Sequence, residues 1–245
     1  VLVDDNAYIV PLYSSLKSQG VNKEILNINS VRLSKSRSLP WEELDFIDQS
    51  KRTTTPFVMS QTISSLTSMD PIKGNDGSIN ILNTNMYVRL VNLTDDDEVT
   101  SKGSLSYNNV ISEGNQEYYF ILRDNVKYAK VVDKKAVDSG EIVAAEDVVF
   151  SMNRAKDKNS VPDHRTYSIH SSMDKIEIVT DLAQLESIKQ SGKETSVKAA
   201  LEEGLPSKIK ELVSDKNDVN NADGKYQVVK ITTKHPFPQV LNYLA

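Results

Sequence analysis

Three histidines, His164, His170 and His235, are the obvious carriers of proton or metal chemistry in this chain. None falls in a His-Glu-x-x-His pair that would set two ring nitrogens on one helix face, and no Gly-x-Ser-x-Gly elbow raises a serine nucleophile. The chain has no cysteine, which excludes a thiolate nucleophile, a thiolate zinc site and a disulfide framework. Acidic pairs such as Asp4/Asp5 and Glu202/Glu203 are sequence neighbours, an arrangement of solvated faces rather than of an acid–base couple. The run Asp218-Val-Asn-Asn-Ala-Asp-Gly224 has the composition of a calcium loop. With Gly224 at the sixth position, however, Val219 stands first and Lys230 twelfth, where acidic ligands are required. Asp95-Asp-Asp97 reads as a charged turn. The chemistry that remains is recognition. Tyr13, Ser14, Ser65, Thr67, Asn85, Tyr87 and Tyr167 pair flat apolar rings and small polar groups at the ends of strands and loops, which suits a binding site. No enzyme, resident cofactor or metal is expected.

The 245 residues suffice for one large domain or two small ones. With 38% hydrophobic and 26% charged residues the composition is that of a folded globular protein. A net charge of −5, with no concentrated Lys/Arg patch, argues against nucleic acid as a partner. No apolar run reaches the roughly 18 residues of a membrane span.

Several elements must hold these residues. Ala7 to Tyr13 reads as a strand whose Pro11 confines it to an edge. Pro40 suits a helix's first turn, and Leu39–Asp48 reads as a short helix or as a docked terminal tail. Pro56 to Ser60 reads as a strand, and Thr67 to Gly77 as loop. Apolar residues at 79, 82, 86, 90 and 93 have helical spacing, and Asp95 to Glu98 marks a hairpin tip. Tyr118-Tyr-Phe-Ile-Leu-Arg123 is a dense β-former run. Residues 146 to 155 set Val148, Val149, Met152 and Ala155 on one helical face, with Glu146 and Asp147 where the helix dipole favours them. Lys175 to Val179 and Tyr226 to Thr232 read as strands. The Lys/Glu-rich stretch between them, Asp181 to Asp223, reads as short helices inserted on the solvent side. Pro236 to Ala245 begins a helix. The fold class is α/β in the mixed α+β sense.

Three groups of residues together resemble a known family. Tyr118-Tyr-Phe-Ile-Leu-Arg-Asp-Asn-Val-Lys-Tyr128 followed by Ala144-Ala-Glu-Asp-Val-Val-Phe-Ser-Met-Asn-Arg-Ala155 is similar to a signature of family 5 extracellular solute-binding proteins, the peptide- and nickel-binding receptors of ABC importers. Ser65-Leu-Thr-Ser-Met-Asp-Pro71, with Asn85-Met-Tyr87 and Leu90-Val91, resembles the family's first strand, its Leu-Asp-Pro turn and its Asn-x-Tyr-x-x-Leu helix. Tyr226 to Ala245 resembles the strand and Pro-x-Pro helix leading to the hinge. The resemblance covers about residues 56–180 and 225–245. Asn125 replaces a usual Gly, and Ala144 a usual Thr cap, which should weaken the helix start. The loop 129–143 is longer than usual, and 181–223 has no common counterpart.

The resemblance implies a periplasmic-binding-protein-like lobe, with a mixed sheet flanked by helices and an added α+β subdomain. Residues 1–50 resemble the family's C-terminal segment, returning to lobe one through Ala7-Tyr-Ile-Val-Pro-Leu-Tyr13. Residues 51–80 and 224–245 resemble its N-terminal part, 81–180 the added subdomain, and 181–223 a helical insertion. The order is inverted, so the expectation is a circularly permuted lobe one joined near Ser50–Thr55, lacking its second lobe and binding ligand weakly. By motif position the implied ligand contacts are Tyr13, Ser14, Ser65, Thr67, Asn85 and Tyr87, with His164 and Tyr167 in the loop after the signature helix. The implied function is non-catalytic capture of an oligopeptide or similar small solute outside the cytoplasmic membrane for an ABC importer permease, with attachment to the membrane through a lipid anchor alone. Two alternatives stay open. One is a nickel or metal-chelate receptor using His164 or Arg165. The other is a surface signalling-peptide or adhesion protein displaying 181–223 to a partner.

Overall fold

The structure is a computed structural model, and it describes residues 12–14, 18–32, 39–60, 68–73, 77–165, 170–205 and 228–245. The chain divides into two compact units: Val1–Leu33 with Leu39–Met59, and Ser34–Ser38 with Ser60–Ala245. Among the described residues no helix is long and apolar enough to cross a membrane.

The first unit is a small knot of turns. Leu26 and Phe46 form an antiparallel bridge and are both buried, and the Asn27 and Ile47 amides donate to the Asp45 and Ile25 carbonyls on either side of it. The short helix expected within 39–48 is a single 3-10 turn, Trp41–Glu43, entered from Pro40; a second, Gln49–Arg52, starts where the Asp48 carboxylate accepts the Ser50 amide. Isolated turns of this length gain too few hydrogen bonds to propagate as α-helix. Leu12 to Ser14 have no regular structure and are exposed, and residues 7–11 of the expected strand lie outside the described residues. Pro56 to Ser60, expected as a strand, is irregular, with Val58 84% exposed. Its β-propensity finds no ladder to join, and propensity alone does not make a strand.

The second unit is mixed α+β. A helix, α1 (Gly77–Met86), leads into a short hairpin of β1 (Asn92–Leu93) and β2 (Val99–Thr100). The helical spacing read through Leu93 ends at Met86 because Leu90 and Val91 turn into the sheet's core. The hairpin tip falls where expected, with Asp97 in the left-handed region at φ 66°. Then follow β3 (Ser106–Ile111), β4 (Glu117–Leu122), β5 (Lys127–Val132), β6 (Lys135–Ile142), α2 (Ala145–Lys156), β7 (Met173–Val179), α3 (Val197–Glu202), β8 (Val228–Thr233) and α4 (Val240–Tyr243). The main sheet is antiparallel in the order β3-β4-β8-β7.

In β4, every residue from Tyr118 to Leu122 is buried. Tyr118, Phe120 and Leu122 face one core, built with Val148 of α2, Met173, Ile176, Val229, Ile231 and the Val240 and Leu244 pair. Tyr119 and Ile121 face a second core with Val110, Val179 and Val228. That second core is closed by Leu182 and Leu185 of a 3-10 helix and by Val197, Ala200 and Leu201 of α3. The stretch expected as a solvent-side insertion is therefore, through Leu205, the cover of the sheet's second face; 206–223 lie outside the described residues. The misreading has a physical source. On a short amphipathic cover the lysines and glutamates outnumber the few apolar residues that it buries. The Asn108 side-chain amide, donating to the Ala200 carbonyl at 2.9 Å, ties α3 to β3.

The long loop expected over 129–143 is the β5–β6 hairpin, turned at Asp133 and Lys134 with φ of 49° and 62°. Two successive positive φ values make the turn match the twist of the strands. Asp-Lys is a weak signal for such a turn beside Asn-Gly. The hairpin meets α2 at its first turn, where Tyr128 hydrogen-bonds Asp147; burial, then that carboxylate, push the phenol up to about 12. Asp147 also accepts the Ala144 amide at 2.8 Å, half of a capping box. Ala144, at the cap, has no side-chain oxygen to offer in return.

Two stability measurements follow. Ala144→Thr supplies the missing acceptor and raises unfolding free energy by about 1 kcal/mol in urea titration. Leu201→Ala removes a side chain buried in the second core and costs about 2–5 kcal/mol, a loss that a dispensable solvent-side insertion would not show.

Candidate functional site

A polar assembly of the second unit surrounds the turn Ser68-Met-Asp-Pro-Ile-Lys73. Its shape is local. The Ser68 hydroxyl accepts the Asp70 amide at 3.1 Å, the Asp70 carboxylate accepts the Ile72 amide at 3.2 Å, and the Asp70 carbonyl accepts the Lys73 amide at 3.0 Å. Asp followed by Pro is suited to this: the carboxylate mimics a backbone acceptor while proline presets its own φ. Ile72 is buried and roots the turn in the body of the unit.

The placement of the turn is set from three distant segments. Arg154, in the last turn of α2, donates through both guanidinium ends to both Asp70 oxygens, with Nη1 at 3.1 Å from Oδ1 and Nη2 on Oδ2. The two residues are 84 positions apart. Tyr87, just past α1, donates its hydroxyl to the Met69 carbonyl at 3.2 Å. The Arg165 amide donates to the Ile72 carbonyl at 3.0 Å. The Arg154 hydrogen bonds, reinforced by the Ile72 amide, hold the Asp70 carboxyl below its ordinary range against an opposing burial penalty. Asp70 in turn raises the guanidinium. With side chains 22% and 31% exposed, this pair is partly shielded rather than a solvated surface contact.

Tyr87 touches the turn directly and keeps a 45% exposed ring, its hydroxyl being committed to Met69. Asn85 is half-buried two residues earlier and donates to the Ile81 carbonyl of its own helix at 2.8 Å. His164 is half-buried, with both ring nitrogens shielded, immediately before the Arg165 amide that holds Ile72. Tyr13, 87% exposed, and Ser14 belong to the first unit. Ser65, Thr67 and Tyr167 lie outside the described residues. The sequence reading passed over Asp70 and Arg154 as site residues although both stand inside its motifs. The only signal was a pair of opposite charges, one in each of two distant motifs.

On the outer side of α2, Phe150, Asn153, Arg154, Lys156, Asp157 and Ser160 line an open depression of about 790 Å³. Phe150 is 71% exposed there, while Ser160 donates to the Arg154 carbonyl at 2.7 Å and closes the helix end. Among the described residues no group of three or more acidic or histidine side chains is placed to hold a metal ion.

No protein-family profile matches the chain, and no curated protein does. Among solved structures it is similar to NikZ from Campylobacter jejuni in complex with Ni(L-His), at 18% identity and a TM-score of 0.42 over 74% of this chain and 24% of that one. It is also similar to HbpA2 from Haemophilus parasuis, at 22% identity and a TM-score of 0.44 over 74% of this chain and 28% of that one. The chain thus spans about a quarter of the length of each.

The Asp70–Arg154 pair makes a pH-dependent contribution of known sign. A carboxyl depressed in the folded state stabilises above its unfolded value, near 4, and loses that contribution as pH falls through the folded value. Asp70→Asn lowers stability by about 1–2 kcal/mol at neutral pH. The gap from wild type closes as melts are repeated at pH values descending through and below 4.

Proposed function

We propose that this chain is the solute-binding part of an extracytoplasmic receptor that captures oligopeptides and delivers them to an ABC importer permease. The observation that supports this reading is the meeting of the motifs on which the family resemblance rests. The Met69-Asp-Pro71 turn, the Asn85-Met-Tyr87 segment and the last turn of α2, which carries Arg154, are joined by direct hydrogen bonds, although they lie far apart in sequence. The signature strand β4 and the strand β8 of the third motif are paired neighbours in one sheet.

A receptor of this kind needs main-chain hydrogen bonds to a peptide, with roomy surroundings for its side chains. Exposed aromatic rings and small polar groups beside an anchored turn are such materials, and Tyr87 and Ser68 are the described residues nearest to supplying them, with His164 in the proposed set by motif position. Ser65, Thr67, Tyr167 and Asn85 complete the proposed contact set of the second unit by motif position, and Tyr13 and Ser14 are the proposed contacts of the first unit. Delivery to a permease, attachment through a lipid anchor and closure of a second lobe over the ligand belong to the same reading.

Oligoalanine peptides carry little beyond the main chain, so they are the direct probe. Titration of the isotope-labelled chain with tri-, tetra- and pentaalanine gives saturable shifts of the amides of Met69, Asp70, Ile72, Lys73 and Tyr87. A chain that ignores all three peptides but whose melting temperature rises with a nickel–histidine chelate is a metal-chelate receptor instead. A chain that responds to neither is not a receptor of these classes.

A further inference from the structure

We propose that Arg154 is a positioning residue for ligand recognition: it holds the Met69-Asp-Pro71 turn in its binding-competent orientation without itself touching the ligand. The inference rests on the peptide-receptor reading and concerns how that site is built.

The hydrogen bonds within Ser68–Lys73 determine the shape of the turn but not its direction. Direction comes from the anchors outside it. Two of these are single neutral hydrogen bonds: the Tyr87 hydroxyl on Met69, half open to water, and the Arg165 amide on Ile72. The third is ionic and two-pronged. A guanidinium meets a carboxylate edge to edge in one plane, so two parallel bonds restrict rotation of the turn where one bond would let it pivot.

The donor is also held. Arg154 sits on a helix whose Val148 and Ala155 are buried, and its carbonyl is bonded by the Ser160 hydroxyl. The neighbouring Lys156 is engaged with the Asp174 carbonyl and does not compete for Asp70. The guanidinium is thus a fixed reference on the core-packed helix, and Asp70 transmits that reference to the turn. Tyr87, which presents an exposed ring, is tied to the same turn one residue earlier. Releasing Arg154 therefore lets both the turn and the ring's partner wander, and apparent affinity falls in proportion to the competent fraction.

The test compares wild type with Arg154→Lys, Arg154→Met and Asp70→Asn. Each is titrated with pentaalanine well below its own melting temperature, and amide hydrogen exchange is read over Ser68–Lys73. The expected result is about tenfold weaker binding for Arg154→Met and Asp70→Asn, from a competent fraction reduced to roughly a tenth. Arg154→Lys is intermediate, because an ammonium cannot make the paired contact. Exchange over the turn quickens in step with each loss. Equal affinity across the series, with only the melting temperature lowered, overturns the inference by leaving the pair a purely structural role. Weakened binding without faster exchange over the turn overturns it as well. Absence of pentaalanine binding by wild type overturns the peptide reading itself and this inference with it; that failure is distinguishable because it appears before any substitution is made.

Discussion

The double burial of β4 is the constraint from which the second unit's architecture follows. Tyr118 to Leu122 are five consecutive residues with almost no exposed surface. Such a strand can exist only with a strand on each side and an apolar layer on each face. The sides are β3 and β8. One face is covered by α2 and α4, the other by the segment from Leu182 to Leu205. Each large side chain so buried contributes about 1.5–3 kcal/mol, so losing either cover exposes half of the strand's contribution at once. The polar atoms of the strand are accommodated rather than left stranded: the Tyr118 hydroxyl reaches the Phe237 carbonyl, and Tyr119 bonds Glu117.

This core also supplies what the candidate site requires. The apolar face of α2 is anchored against the sheet, so its last turn is a firm base for Arg154. Around it the fold places a turn whose own hydrogen bonds are all short-range and whose location is imposed from outside. The division is physically sensible. A turn can be encoded in six residues, whereas its orientation relative to a sheet requires contacts from other parts of the chain. A two-pronged ionic contact is an economical way to provide that orientation, because its geometry is planar and its strength survives partial exposure.

Legibility varied with how local each signal was. The run Tyr118–Arg123 and the amphipathic pattern of 146–155 were readable because adjacent residues carry the whole message: dense β-formers in one case, a 3.6-residue stripe in the other. The Asp95–Glu98 hairpin tip was equally local. The β5–β6 hairpin was missed because Asp133-Lys134 is an uncommon pair at two positive-φ positions. Pro56 to Ser60 had the composition of a strand but no ladder, and Leu182 to Leu205 looked like a solvated insertion because its apolar residues are scattered among lysines and glutamates with no long periodic stripe. The candidate residues Asn85, Tyr87 and His164 were reached through motif position, not through any chemistry visible in their spacing.

By itself, the sequence determined the mixed α+β class, the central strand, the signature helix and the existence of a tight Met-Asp-Pro turn, since each is decided by propensities and hydrogen bonds within a few residues. Only the tertiary structure decided that the central strand needs the Leu182–Leu205 cover, that Tyr87 spends its hydroxyl on Met69, and that Asp70 belongs to Arg154. Those facts depend on which surfaces meet after the chain has folded back across 84 residues, and no local periodicity records such a meeting.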